Sequence, residues 1–138
     1  MRDSIKVLLV MPEDEISMLM AAPEARTLEV MTARTCEEAR STLAGEYPVD
    51  VVVSDLTLED GNWWCIYQDL TNRDVCAEMV VIAPQRGLDV SEILAHGVYA
   101  VLGKPLEAAE IVRMIEEAAA HKINGKGPGA LQTAIAGV

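Results

Sequence analysis

The sequence predicts an α/β fold, a parallel sheet of five strands doubly wound by helices on both faces. Five short apolar runs recur: IKVLLV (5–10), TLEVMT (27–32), VDVVVS (49–54), EMVVIA (78–83) and YAVLG (99–103). Segments of helical periodicity lie between them, and strand–helix alternation of this length implies right-handed crossovers and parallel pairing. Four of the runs are apolar almost without a break, as strands covered on both faces are. TLEVMT instead mixes polar and apolar positions, which suits an edge strand.

Taken in order, the elements justify themselves locally. IKVLLV is the first strand. The helix after it, in EISMLMAAPEA (15–25), is cut short by Pro23, which lacks an N–H and crowds the preceding turn. Thr35-Cys36-Glu37-Glu38 has the form of a capping box, opening a second helix. Cys36, Ala39 and Leu43 follow at the i, i+3, i+7 spacing of one helix face, and Gly45 and Pro48 end it. Trp63 and Trp64 start the third helix, with Tyr67 beyond. Neighbours on a helix point about 100° apart, so the two indoles do not face the core equally. Either one of them is an interface residue, or one covers the sheet and the other its rim. Ala108, Ile111, Val112, Ile115 and Ala119 stripe the last helix. One (βα)₅ unit of about 120 residues fits the flavodoxin-like doubly wound class with strand order 2-1-3-4-5. The expected domain is 1–122, and the Gly- and Ala-rich tail 123–138 reads as a linker or frayed end, with LQTAIAG long enough for one helical turn.

Composition narrows the functional classes. A chain of 138 residues with 51% hydrophobic and 24% charged residues is globular and fits one domain. Its net charge of −11, with only 11 scattered Lys and Arg, argues against direct nucleic-acid binding. The longest apolar runs are far below the roughly 20 residues of a membrane span, and MRDSIKVLLV lacks a signal-peptide pattern; the expected setting is the cytoplasm. Cys36, Cys65 and Cys76 are odd in number without CxxC spacing, which argues for core thiols against disulfide or zinc. His96 and His121 are read as structural.

In an open parallel α/β sheet, ligands bind at the carboxyl ends of the strands near the switch in strand order. Met11 to Asp14 follow the first strand there, Asp55 ends the third, and Lys104-Pro105 follow the fifth. Asp55 and Lys104 then form either a phosphoryl or metal site or a structural ion pair. SDLTLEDG around Asp55 and GVYAVLGKP ending at Pro105 give the chain its resemblance: residues 4 to about 121 resemble a response-regulator receiver domain of two-component signalling.

The resemblance implies residue roles. Asp55 matches the phospho-accepting carboxylate, taking a phosphoryl group from a sensor histidine kinase or phosphotransfer protein. Lys104 matches the lysine that pairs with phosphoryl oxygens, and the peptide before Pro105 is expected to be cis. The backbone carbonyl of Thr57 and the Asp55 carboxylate match Mg²⁺ ligands, the cation easing repulsion between carboxylate and phosphoryl oxygens. Departures are concentrated at the same site. Met11-Pro12 stand where the family has its acidic pair, leaving Glu13 or Asp14 as replacement ligands, or as an acidic first turn favoured by the helix dipole. Ala83 replaces the switch Thr or Ser, and Val101 replaces the switch aromatic. Tyr99, two residues before Val101, is expected on the same strand face.

A nucleophile and a lysine without relay or acidic pair imply an atypical or pseudo-receiver, not an enzyme, that acts by protein–protein contact with phosphorylation impaired. Implied partners are a kinase or phosphotransfer protein, a downstream signalling protein and a second copy, with Trp63, Trp64 and Tyr99 as interface candidates. A competent Mg²⁺-dependent phospho-switch is the alternative. A flavodoxin-like small-ligand binder is weaker, because the loop after the first strand lacks the donors that cradle a phosphate.

Overall fold

The computed structural model describes residues 4–45, 48–73, 75–85, 89–123 and 134–135. Strands β1 (Ile5–Val10), β2 (Leu28–Ala33), β3 (Val51–Asp55), β4 (Glu78–Ala83), β5 (Ala100–Gly103) and β6 (Ala134–Ile135) form one parallel sheet in the order 2-1-3-4-5-6. The flavodoxin-like order expected for the first five strands is thus present, with β2 at an edge. On the far side, Ala134 and Ile135 pair with Ala100 and Val101, a strand where a helical turn was conceivable. Of the rest of the expected 123–138 linker, Ile123 belongs to the last helix, and 124–133 and 136–138 lie outside the described residues.

Helices α1 (Glu13–Met20), α2 (Cys36–Ala44), α3 (Trp63–Asn72), α4 (Ser91–Ala95) and α5 (Ala108–Ile123) cover both faces. Alternation along the strands sorts the core into two layers. Leu8, Val10, Val52, Met79, Val81 and Val101 face one layer, which is closed by Leu43 of α2 and Ile66 of α3. Val7, Leu9, Val53, Val80, Ile82 and Leu102 face the other, under Leu19 of α1 and Ile111 and Ile115 of α5. The stripes on α2 and α5 are therefore the faces that pack. Pro23 begins a 3₁₀ turn, Pro23–Thr27, so α1 is only eight residues long.

The capping box of α2 is half realised. Thr35 Oγ1 accepts from Glu38 N at 3.1 Å, but Glu38 Oε1 accepts from Arg34 N at 2.9 Å and not from Thr35. Two further free N–H groups at this end are satisfied from a distance. Asp60, in the tight turn of a small antiparallel ladder (Thr57–Leu58 with Gly61–Asn62), accepts from Cys36 N at 2.7 Å and Glu37 N at 3.1 Å. Those bonds hold the Asp60 carboxyl below its ordinary pKa. The loop that leaves Asp55 is thereby tied to the start of α2.

The cysteine reading is corrected here. Cys36 and Cys65 are joined by a disulfide, with Cα atoms 6.6 Å apart, and only Cys76 is free. The two N-terminal turns of α2 and α3 lie side by side, which a separation of 29 residues conceals in the sequence. At the opposite end of the sheet from Asp55, Glu78 is 1% exposed and its Oε2 lies 2.5 Å from His121 Nδ1 of α5. Burial raises the pKa of Glu78, and His121 opposes that shift. His121 is thus the partner of a buried carboxylate.

Candidate functional site

Parallel pairing aligns the carboxyl ends of β3, β4 and β5, since Asp55 is in register with Ile82, and Ala83 with Gly103. Asp55 and Lys104 are then two strand spacings apart, about 10 Å, a gap that a lysine stem and a carboxylate can close. The closure is complete: Lys104 Nζ lies 3.4 Å from Asp55 Oδ2. The Lys104–Pro105 peptide is cis, as the resemblance implied.

A third group, missed in the sequence, completes the cluster. Glu15 Oε2 lies 2.6 Å from Lys104 Nζ, closer than Asp55 does. The residues singled out beforehand sit elsewhere. Glu13 Oε1 meets Arg34 Nη1 at 3.5 Å on the outer face of α1, and Asp14 is exposed. Pro12 serves as the N-cap, so the helix begins at Glu13 and turns its third residue, Glu15, back over the sheet. The available signal was helical phase: Glu15 lies one turn before Leu19, the buried residue of α1, on the same face.

The cluster holds two carboxylates and one ammonium in a largely dry place. The Asp55 side chain is 8% exposed, Glu15 20% and Lys104 28%. Burial, then the Glu15 charge, lift the Asp55 pKa from its ordinary 3.8 to about 6, with Asp14 adding to the rise and Lys104 opposing it. For Lys104, burial disfavours the ammonium, but Glu15 and Asp55 outweigh it and the pKa stands above the usual lysine value. Glu15 Oε1 and Asp55 Oδ1 are buried and make no hydrogen bond.

Those two oxygens test whether the site fits a magnesium ion. Mg²⁺ takes hard oxygen ligands, commonly one or two carboxylates with waters completing its shell. Two buried carboxylate oxygens without partners are the donors such an ion needs. Among the described residues no group of three or more His, Cys, Asp and Glu gathers to hold a metal, so any cation here would depend on this pair and on carbonyl and water oxygens. The fit is adequate.

Met11 cannot contribute: it is fully buried in the α1–α5 layer, and its N–H donates to Ala33 O at 3.1 Å. Ala83 and Val101 are fully buried on the α2–α3 side, alkyl groups where a hydroxyl and an aromatic ring would stand. Tyr99 departs from its expected place. It precedes β5, so the alternation of the strand does not govern it, and it packs on the α5 layer with its ring 5.2 Å from that of His121.

The tryptophans divide as helical geometry demands. Trp63 is 8% exposed and sits in the core, whereas Trp64 is 36% exposed. Trp64 stacks on Tyr67 at 5.6 Å and lies 4.6 Å from the His96 ring of the α4 C-terminus, forming an aromatic surface between α3 and α4. The Tyr67 hydroxyl donates to the His96 carbonyl.

No family model matches the sequence, and no curated protein does. Solved structures do match in fold. A CheY-like response regulator receiver domain protein from Methanospirillum hungatei aligns with TM-score 0.75 at 16% identity, over 90% of this chain and 100% of that one. The signal receiver domain of an HD domain-containing protein from Pseudomonas fluorescens gives 0.74 at 19%, over 89% and 99%. A two-component response regulator from Clostridium difficile gives 0.72 at 23%, over 88% and 99%. The chain has the fold of response regulator receiver domains, a doubly wound α/β sheet with Asp55 and Lys104 paired at its carboxyl edge.

Proposed function

We propose that the chain is an atypical receiver domain of a two-component phosphorelay, a non-enzymatic signalling module whose output runs through protein–protein contacts. Its partners would be a sensor histidine kinase or phosphotransfer protein, a downstream signalling protein and, at the exposed faces, a second copy. The observation that carries the reading is the pairing of a retained Asp55–Lys104 contact with a core of buried alkyl groups at Ala83 and Val101. A phosphoryl group on Asp55 would find a lysine to meet it, but no hydroxyl to draw in and no ring to turn.

Phosphoryl transfer to Asp55 is expected to be slow. Lys104 is already paired with Glu15, more closely than with Asp55, so less of its charge is free to meet an incoming phosphoryl group. Trp64, Tyr67 and Tyr99 are the contact residues assigned to partners; an exposed Trp in a small aromatic cluster is the usual anchor of an interface. A cytoplasmic setting is proposed with this role. Among the described residues no helix is long and apolar enough to cross a membrane.

Incubation with a small phosphodonor and Mg²⁺, followed by intact mass measurement, tests the proposal. The expected result is an adduct of one phosphoryl group that accumulates slowly and disappears in Asp55→Asn. Rapid, stoichiometric labelling lost in the same variant would replace this reading with that of a competent switch, the alternative favoured by the intact Asp55–Lys104 geometry.

A further inference from the structure

Cys36 and Cys65 stand in the first turns of α2 and α3, joined across the loop that leaves Asp55. Three observations set this pair apart from a fully enclosed staple. The two sulfurs differ in access: Cys36 is 4% exposed, whereas Cys65 is half-buried. The Cys36 sulfur lies 3.6 Å from the Asn62 carbonyl oxygen, an acceptor already in place for a thiol S–H. The alignment of the two helix starts, moreover, does not depend on the bond alone. Asp60 accepts from Cys36 N at 2.7 Å and Glu37 N at 3.1 Å, and Asn62 Oδ1 accepts from Trp64 N at 2.9 Å. Gly61 lies between these two anchors, and a Cβ there would stand 3.0 Å from the Cys36 sulfur and 3.8 Å from that of Cys65. The loop backbone therefore lies against both sulfurs, and opening the bond would leave them side by side under the same loop.

We propose that Cys36 and Cys65 are a reversible redox site, a dithiol–disulfide couple that exchanges with a dithiol reductant while the chain stays folded. A thiolate of the reductant attacks the accessible Cys65 sulfur, the S–S bond breaks, and Cys36 leaves as a thiolate that takes up a proton. The reductant's second thiolate then attacks its own sulfur in the mixed disulfide and releases Cys65 as a thiolate, which is protonated in turn. Two electrons and two protons reach the pair, and the reductant ends as a disulfide. Exchange with that oxidised form runs the steps backwards and closes the bond. Asp60 supplies what reversibility needs, because it holds the start of α2 against the loop and keeps the two reduced sulfurs within reach. The state of the pair is felt at the neighbouring surface. A closed bond fixes the start of α3, from which Trp64 and Tyr67 project towards His96. An open bond leaves the link between α2 and α3 to hydrogen bonds and packing. The couple works whether or not Asp55 is phosphorylated.

The whole chain, equilibrated without denaturant at graded ratios of reduced to oxidised dithiothreitol and trapped with N-ethylmaleimide, reads the couple by peptide mass mapping. Cys76, the free thiol, should be labelled throughout. Cys36 and Cys65 should become labelled together as the ratio rises, and a return to the oxidised reagent before trapping should leave both unlabelled again. Circular dichroism should be the same in both states, with the thermal midpoint about 10 °C lower in the reduced one. Asp60→Ala should slow re-closure about tenfold, since the sulfurs lose the contact that positions them. A bond that resists excess dithiol in the folded protein and opens only in denaturant would overturn the proposal in favour of a permanent staple. Three labelled cysteines at every ratio, or a reduction that unfolds the chain, would overturn it as well. Re-closure of Asp60→Ala at the wild-type rate would remove Asp60 from the mechanism.

Discussion

Replacing Asp55 by Asn should make this protein more stable at neutral pH, which is the opposite of what removing one member of an ion pair usually does. The reason is the imbalance at the carboxyl edge. The folded state raises the Asp55 pKa from 3.8 to about 6, so the ionised form is disfavoured there relative to the unfolded chain. At about 1.4 kcal/mol per unit, that difference costs up to roughly 3 kcal/mol. An amide reproduces a neutral carboxyl imperfectly, so a gain of about 2 kcal/mol is the working expectation. The sign with pH follows from proton counts. Between 3.8 and about 6 the folded chain holds a proton that the unfolded chain has released, so stability from this group falls as pH rises through that window. Above it the full cost is present, and below it there is none. Urea denaturation of wild type and Asp55→Asn should therefore show the variant ahead at pH 7.5, by less at pH 5, and level below the ordinary carboxylate pKa. A variant less stable than wild type at pH 7.5, or a gain that does not change with pH, would refute the reasoning. Either result would mean that Lys104 and not burial dominates at Asp55.

The paired tryptophans should separate cleanly. Trp63→Ala, emptying a core position that is 8% exposed, should cost about 3 to 5 kcal/mol in a denaturation experiment. Trp64→Ala should cost about 1 kcal/mol or less, the size of one aromatic contact, while abolishing partner capture in a pull-down where Trp64 is the anchor. His121→Ala should strand the Glu78 carboxylate, which is 1% exposed, and destabilise the fold by about 3 kcal/mol at neutral pH. That loss should shrink in acid, because burial already favours a protonated Glu78; thermal melts across pH read both effects.

The sheet was legible in the order of residues alone. Apolar runs of strand length, separated by helical stripes at Cys36–Leu43 and Ala108–Ala119, carry their own burial pattern, and one (βα)₅ unit fits the doubly wound order 2-1-3-4-5 that the sheet has. Asp55 and Lys104 were legible for the same reason: each stands where an apolar run stops, so each falls at the carboxyl edge. That Met11, Ala83 and Val101 bring no carboxylate, hydroxyl or aromatic ring to the carboxyl edge was equally legible, because a side chain without those atoms cannot supply them wherever it is placed.

Tertiary structure decided whatever depends on where a side chain reaches across the chain. Glu15 meets Lys104 because Pro12 sets the start of α1 and hence its phase over the sheet. Asp60 caps α2, and Cys65 meets Cys36, because the loop after Asp55 folds back against the preceding crossover. Tyr99 sits on the opposite layer from Val101 because it lies before the strand begins. Periodicity reports which face of its own element a residue occupies; it carries no information about the neighbour that face will meet. The charge balance at Asp55 is a property of three elements brought together.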